Sequence, residues 1–217
     1  GVFEVTQRQF ARVMGDSKRA VFNSRRSGGP DHPMENALYD KVIDFCNKLS
    51  NQAAEVAAGR KYRLPTEAEG EYACRAGTTP AFYSGNSLSS KQANFNGKYP
   101  YGDARPGKYL RRTTPVGSFK PNAFGLYDMH GNVSEWCSDW YDPAYYKNSP
   151  PKNPPGPAQG VLPTGFDRFY LVIRGGSWLD DARACRSARR FRAMPRNRYR
   201  LIGFRVVCEV SDKPGTR

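Results

Sequence analysis

The sequence changes character near residue 80, and this change limits the folds that the chain can adopt. Before it, three segments carry the apolar spacing and the capping residues of short amphipathic helices. After it, the stretch AFYSGNSLSSKQANFNGKYPYGDARPGKY is rich in Gly, Asn, Ser and aromatic residues and has almost no helical periodicity. The sequence therefore favours an α+β fold of few helices, short strands and long loops over a helical bundle.

The first two helices are predicted from capping and apolar spacing. Thr6 and Gln9 form a capping-box pattern, so a short helix is expected after an opening strand, with Gly15 as its stop. A second amphipathic helix is expected from Tyr39 and can extend as far as Gly59.

The third predicted helix lies in LPTEAEGEYACRAG. Thr66 and Glu69 form another capping box, and Gly77 can end the helix. Glu67, Glu69 and Glu71 are spread along this one helix, so they are interpreted as capping residues and solvated charges rather than as a catalytic carboxylate pair.

Two apolar stretches late in the chain, FYLVIRGGSW and LIGFRVVCEV, are predicted to be strands that pair with each other. They would close the fold as a small antiparallel sheet. We expect one domain over residues 1–210 and a tail over residues 211–217.

The charge and the cysteines restrict the classes of function. Thirty-four Lys and Arg against 20 Asp and Glu give a net charge of +14, which favours acidic proteins, polyanions or nucleic acid as partners. The cysteines are odd in number and contain no CxxC pair, so buried reduced thiols are expected instead of a disulfide framework or a zinc ribbon: Cys46, Cys74, Cys137, Cys185 and Cys208. No 18-residue apolar run or secretory signal pattern occurs, so no membrane span is expected and the compartment stays open.

Five ordered motifs between about Phe3 and Val207 carry a family resemblance: GRKYRLPTEAEGEYACRAG, PNAFGLYDMHGNVSEWCSDWY, VIRGGSW, CRSARR and IGFRVV. In this order they resemble the formylglycine-generating enzyme family, also called sulfatase-modifying factors. The resemblance implies a variant of the C-type lectin fold, with a small twisted antiparallel sheet. The family's usual opening strand segment is missing upstream, so a module of a larger protein or complex is expected.

The family's oxidases convert a sulfatase cysteine to formylglycine with copper held by two cysteines spaced CxxxxC after the Gly-Gly-Ser motif. In GGSWLDDARACRSAR, Asp180 takes the place of the first cysteine, and a hard carboxylate is a poor Cu(I) ligand. Cys185 matches the second cysteine only if the alignment contains no gap. If the alignment is anchored on Ser187 to Arg189 instead, the loop of this chain is about four residues shorter than the loop of the oxidases. Cys185 is therefore a weak catalytic candidate, and copper is not expected.

Other relatives hold iron with histidines and make sulfur-containing betaines. Three convergent histidines would be needed, and the chain has only His32 and His130. His130 is interpreted as a loop histidine whose hydrogen bonds are satisfied.

The stretch YDMHGNVSEWCSDWY corresponds to a calcium site in the family. The resemblance gives as ligands the side chains of Asp128 and Glu135 and the carbonyl oxygens of Gly131 and Val133, all of them hard oxygens suited to Ca²⁺. The alternative is that the two carboxylates only accept hydrogen bonds from turn amides or an arginine.

A second family calcium site would use Asn94 and the carbonyl of Phe95. Its acidic ligand is in doubt, because Lys108 stands at the matching position and Asp103 only lies nearby. Two further departures are Gly70 and Ser134, where relatives usually carry Trp. They indicate either local repacking or a cleft filled by a ligand.

The segment between Arg174 and Arg205 is dense in arginine, which recognises carboxylate, sulfate and phosphate groups. Arg174, Arg186, Arg189 and Arg205 match family motifs and are expected to stabilise the fold through ion pairs. In retroelement-diversified relatives this region varies and lines the ligand face. The predicted ligand-binding residues are Trp178, Asp180, Asp181, Arg183, Arg192, Arg196, Arg198 and Tyr199.

The sequence thus predicts a domain of this family without copper oxidase activity that binds a protein or another acidic ligand and carries structural calcium. The first alternative is a formylglycine-generating oxidase acting on a sulfatase cysteine. The second is binding of nucleic acid or another polyanion through the basic C-terminal segment.

Overall fold

The computed structural model describes residues 1–15, 28–160 and 169–211. Its helices are α1 (Gln7–Met14), α2 (Tyr39–Ser50), α3 (Ala53–Ala57) and α4 (Glu67–Arg75), with a 3-10 turn at Tyr145–Lys147. Its strands are β1 (Arg60–Arg63), β2 (Ser134–Trp140), β3 (Leu171–Arg174), β4 (Phe191–Ala193), β5 (Ile202–Gly203) and β6 (Val207–Val210). No helix in these ranges is long and apolar enough to cross a membrane.

The strands form two small sheets. A four-stranded sheet has the order β4-β3-β2-β5, and β1 pairs with β6 in a separate antiparallel ribbon. The pairs β2–β3 and β3–β4 are antiparallel, whereas the short β2–β5 pair is parallel. The α+β prediction of few helices, small sheets and long loops is confirmed.

The prediction that the two late apolar stretches pair with each other is wrong. β2 separates them, because β3 and β5 lie on its opposite edges. β2 is almost entirely buried, so its backbone groups need partners on both sides. The second stretch is also divided: buried Phe204 follows β5, and the chain then leaves to pair β6 with β1.

The helix predictions are confirmed at their starts and corrected at their ends. Both capping boxes are present, at the starts of α1 and α4. The second predicted helix does not run on to Gly59, because the Ser50 hydroxyl donates to the carbonyl of Cys46 at 2.8 Å and accepts the amide of Tyr62 at 2.8 Å. This contact ties the end of α2 to β1, and α3 is a separate helix.

Two smaller corrections concern chain segments beside these helices. The expected opening strand is absent in residues 1–5, where Val5 instead donates its amide to the Phe204 carbonyl at 2.8 Å. α4 ends with Ala76 in the left-handed conformation (φ 47°), one residue before the expected Gly77.

Two apolar clusters organise the molecule. The larger lies between α1, α2 and the four-stranded sheet, where the rings of Phe10, Phe45 and Phe204 contact one another. Fully burying each such side chain contributes roughly 1.5–3 kcal/mol. The smaller cluster packs Phe82 and Phe95 against Cys185, so it fixes the loop after β3 on the irregular middle segment.

Candidate functional site

The Gly-Gly-Ser motif forms a tight turn directly after β3. Gly175 and Gly176 have φ angles of 89° and 73°, which side-chain-bearing residues rarely adopt. A Cβ atom on Gly176 would lie 2.7 Å from the Sγ atom of Cys185. The second glycine therefore lets the following loop fold back so that Cys185 packs against the turn.

Asp180, predicted to stand in the place of the first copper cysteine, and Cys185, the weak candidate for the second, both have structural contacts. Asp180 accepts hydrogen bonds from the amide of Ser177 at 2.9 Å and from its hydroxyl at 2.6 Å. Cys185 is fully buried and its thiol donates to the carbonyl of Asp181 at 3.5 Å. Burial, and then the Asp180 and Asp181 carboxylates, raise the pKa of Cys185 well above its usual value. The thiol is thus held in its neutral form, which is a poor metal ligand and nucleophile.

His130 holds the same loop from the other side. Its Nδ1 atom lies 2.8 Å from the Cys185 carbonyl oxygen, and its Nε2 atom accepts the Tyr83 amide at 3.2 Å. These partners require a neutral ring with its proton on Nδ1. Burial lowers the pKa of His130 to about 4, which agrees with that state.

The cysteines form no disulfide, and all five lie in the described residues. Four are buried as expected, and Cys208 is exposed. Burial raises the pKa of Cys74 to about 11, and its Sγ atom lies 3.8 Å from Nδ1 of His130.

The carboxylates of the first predicted calcium set already have protein partners. Asp128 accepts the Gly117 amide at 2.6 Å, and Glu135 binds the Arg205 guanidinium through both oxygens at 2.6 Å. Buried Glu4 belongs to the same cluster, and burial together with Asp128 raises its pKa well above the usual value. Sequence reasoning missed Glu4, since nothing local marks its position near residues 128–135. The contacts match the amide-and-arginine alternative, while calcium at Asp128, Gly131, Val133 and Glu135 stays a prediction.

The second predicted calcium set contains an unpaired buried oxygen. Asn94 donates from Nδ2 to the Arg112 carbonyl at 3.0 Å and to Oδ1 of Asn132 at 3.1 Å, but its own buried Oδ1 has no hydrogen-bond partner. Asn94 also forms a β-bridge with Gly131, so the two predicted sets are adjacent. Within the described residues, no cluster of three or more His, Cys, Asp or Glu side chains is arranged to hold a metal. Calcium at Asn94 and Phe95 would therefore rely on amide and carbonyl oxygens.

The predicted ligand-binding residues fall into three places rather than one. Trp178, Asp180 and Asp181 build the turn itself: the Trp178 amide donates to the Asn132 carbonyl at 2.9 Å, and Asp181 accepts the Ala184 amide at 2.9 Å. Beside this turn, the side chain of Arg183 is exposed.

The second place is an arginine–tyrosine cluster on the edge strand β4. Arg192 lies over the rings of Tyr141 and Tyr170 at 5.1 and 5.2 Å. Arg190, two residues earlier, lies over Tyr141 and Tyr146 at 5.1 and 4.9 Å. Arg190 lies in the arginine-dense segment but was not among the predicted ligand-binding residues, and the tyrosines were missed. The alternation of Arg190 and Arg192 along the strand places both on one face.

The third place is the turn between β4 and β5. Arg196 and Arg198 are exposed, and Arg198 donates to the carbonyl of Asn36 at 3.0 Å. Tyr199 points inward: its hydroxyl accepts the Met194 amide at 3.2 Å, and its ring lies 6.4 Å from that of Trp136. Two of these three residues can thus meet a partner directly.

Among the described residues, two of the four motif arginines form the expected ion pairs. Arg174 binds Glu67 at 2.9 Å, and Arg205 binds Glu135. Arg186 instead donates to the Arg183 carbonyl, and Arg189 lies over the ring of Phe191.

Glu67 corrects the interpretation of the α4 acids as solvated charges. It is 1% exposed and accepts from Arg174 and from Arg190, the latter through both oxygens at 2.7 and 2.8 Å. The capping-box spacing described only the start of the helix and gave no sign that the chain would supply two arginines to one acid.

The two positions where relatives carry Trp lie in different surroundings. Ser134 is buried, and its amide donates to the Leu201 carbonyl at 2.7 Å. Along β2 it shares a face with Trp136, which belongs to the main core. Gly70 lies on α4 and has no non-helical atom within 4 Å of where its Cβ would be.

This fold, with its small sheets and long loops around the Gly-Gly-Ser turn, is of the C-type lectin-like kind. The chain belongs to the family described as the sulfatase-modifying factor enzyme 1-like domain, whose model matches residues 1–210. The solved structure of Treponema denticola variable protein 1 aligns with a TM-score of 0.71 and 29% identity over 94% of this chain and 81% of that one.

Curated relatives include both an enzyme and a protein named as inactive. The formylglycine-generating enzyme of Streptomyces coelicolor is 35% identical over 198 residues, which cover 88% of this chain and 57% of the relative. Inactive C-alpha-formylglycine-generating enzyme 2 of Bos taurus is 32% identical over 199 residues, covering 88% of this chain and 58% of the relative. The chain thus spans somewhat more than half the length of these relatives, and family membership alone does not assign an activity.

Proposed function

We propose that this domain is a binding module without copper oxidase activity and that it binds an acidic protein segment. The observation that carries the proposal is the state of Asp180, at the predicted place of the first copper cysteine, and of Cys185, the candidate for the second. Asp180 is engaged by Ser177, and Cys185 is a buried neutral thiol. A pair of thiolates, which soft Cu(I) requires, is not available from these two residues.

The arginines after β3 support an acidic partner. No described residue forms a salt bridge with Arg183, Arg189, Arg196 or Arg198, and all four are exposed. The two acids in the same loop, Asp180 and Asp181, are used by amides of their own turn. The remaining positive charge is free to meet carboxylates, which the guanidinium fork binds with two hydrogen bonds.

We also propose that any calcium has a structural role. Of the residues predicted to hold it, Asn94 supplies an oxygen that the protein leaves unpaired, and Asp128 uses one carboxylate oxygen for the Gly117 amide. Glu135 binds Arg205 through both oxygens, so Ca²⁺ would compete with this pair. A bound Ca²⁺ would supply positive charge and cross-link two loops. It would take no part in binding the acidic partner.

The proposal is tested by titrating the domain with a poly-glutamate peptide at low salt. We expect the double variant Arg196→Glu/Arg198→Glu to weaken binding at least about tenfold, because both arginine side chains are exposed at the turn before β5. The matched control Lys48→Glu/Lys61→Glu changes the net charge by the same amount at exposed positions on α2 and β1 and should keep most of the affinity. Absence of binding, or equal loss in both variants, would contradict the proposal.

Two alternatives are separated by further arms of the same experiment. If duplex DNA binds much more tightly than poly-glutamate and loses affinity steeply between ~50 and ~200 mM salt, the polyanion alternative is favoured. The oxidase alternative is favoured by the enzyme relative from Streptomyces coelicolor. The oxidase alternative requires that the domain consume oxygen in a copper-dependent reaction with a cysteine peptide, and that Cys185→Ser abolish this consumption.

A further inference from the structure

A cavity of about 110 Å³ lies beneath α4, between this helix and the buried strands β2 and β3. Gly70 and Ala73 of α4 form one side, and Cys137 of β2 forms another. It is separate from the exposed arginines Arg196 and Arg198, so its role does not depend on the acidic-partner proposal.

Neither the backbone nor the packing of α4 requires a glycine at position 70, in the wall of this cavity. Gly70 lies in the interior of α4, where Gly is less favourable than Ala. Its φ angle is not among the positive ones, and a Cβ atom would meet nothing within 4 Å outside the helix backbone. Neither backbone conformation nor close packing accounts for the glycine, and the feature that it maintains is the open space.

The walls of the cavity are apolar and rich in sulfur. Cys74, Met129 and Cys137 line it, and all three are buried. Burial raises the pKa of Cys74 to about 11 and that of Cys137 well above its usual value, so both thiols are neutral. The thioether sulfur of methionine makes favourable contacts with aromatic rings.

The two buried arginines at the cavity are neutralised by partners. Arg174 is bound by Glu67 and Glu71, and Arg205 is bound by Glu135. A third lining arginine, Arg186, is half-buried and donates to the Arg183 carbonyl. Because the buried charges are compensated and the other walls are apolar, a neutral molecule is favoured over an ion.

We propose that this cavity is a binding site for a small neutral molecule of about one aromatic ring. An apolar cavity of about 150 Å³ is known to bind benzene, and the space beside Gly70 is of the same order. The ring would contact the sulfur atoms of Cys74, Met129 and Cys137. Its binding would tie α4 to β2.

The test uses benzene and indole as probes and the methyl resonance of Met129 as the reporter. We expect both probes to shift this resonance saturably in the unmodified domain. Gly70→Phe, which places one ring in the space, should weaken binding more than about tenfold, equivalent to 1.4 kcal/mol. The matched control Gly70→Ala should retain binding, because it leaves most of the volume open.

A second variant, Ala73→Leu, fills the cavity from another position on α4 and keeps the test decisive if Gly70→Phe does not fold. Near-ultraviolet circular dichroism would verify the fold of each variant. Loss of binding in the filling variants with retention in Gly70→Ala supports the site. No saturable shift at millimolar probe, or unchanged binding in folded Gly70→Phe and Ala73→Leu, overturns it.

Discussion

His130 is hydrogen-bonded to the backbone of Cys185, with Nδ1 of its ring 2.8 Å from the carbonyl oxygen. Cys185, in the loop after β3, is thus fixed through its main chain, while its thiol is buried in the protein interior. The histidine has a neutral ring held by two backbone groups, so it serves the position of the loop. Both residues that suggested chemistry in the sequence therefore have architectural contacts.

Thiol reactivity should follow the burial of the cysteines. We expect an aromatic disulfide reagent to modify one thiol per native chain, that of exposed Cys208, and all five after unfolding. Cys208→Ser should remove the fast reaction. A second fast thiol that disappears in Cys185→Ser would show that Cys185 is accessible and activated.

The buried pairing of Glu67 should make a large contribution to stability. Glu67→Gln would leave Arg174 and Arg190 without their shared carboxylate, so we expect a loss of about 3–5 kcal/mol in the free energy of unfolding. Glu209, whose side chain is 50% exposed in its pair with Arg63, provides the control. Glu209→Gln should cost less than about 1 kcal/mol in urea denaturation. Similar losses in the two variants would contradict the burial of the Glu67 pair.

Glu35 should give the stability a measurable pH dependence. Burial, opposed by Arg200, raises its pKa from 4.5 to about 7. The folded state therefore binds the Glu35 proton more tightly than the unfolded state does. The stabilisation from this protonation is complete below pH 4.5 and is lost as the pH rises through 7. Relative to Glu35→Gln, the native domain should lose about 3 kcal/mol of unfolding free energy across this range. A difference between the two proteins that does not change with pH would refute the shift.

Calcium binding should appear as thermal stabilisation. At 100 times its Kd, Ca²⁺ would add about 2.7 kcal/mol, or roughly 5–10 °C in Tm for a domain of this size. Asn94→Ala should abolish the shift if the unpaired Oδ1 is a ligand, and Asp128→Asn should abolish it if the first set binds. If Ca²⁺ does not raise the Tm of the unmodified domain and elemental analysis finds no calcium, the domain does not bind this ion.

The sequence was most informative where interactions are local. The capping boxes at Thr6 and Thr66 involve residues three positions apart, so the starts of α1 and α4 could be predicted from adjacent letters. The long ordered motifs added the family and its fold. Interactions between distant segments were not visible in the same way.

Long-range partners explain what the sequence did not reveal. The two arginines bound to Glu67 lie 107 and 123 positions away, and the strand between the two late stretches comes from residues 134–140. Such pairings depend on how the whole chain packs, so spacing within a helix or an apolar run cannot specify them. For the candidate site, the replacement at Asp180 was visible in the sequence, whereas the spread of the ligand-binding residues over three places required the structure.

The absence of a copper site is tested by measuring Cu(I) binding under anaerobic conditions in competition with a chromogenic chelator. We expect no bound Cu(I) in the unmodified domain and none in Cys185→Ser, because Asp180 and the buried neutral thiol of Cys185 provide no thiolate pair. Restoring the first cysteine with Asp180→Cys provides a comparison in which any gain of binding would be seen. One equivalent of tightly bound Cu(I) in the unmodified domain, lost in Cys185→Ser, would contradict the account.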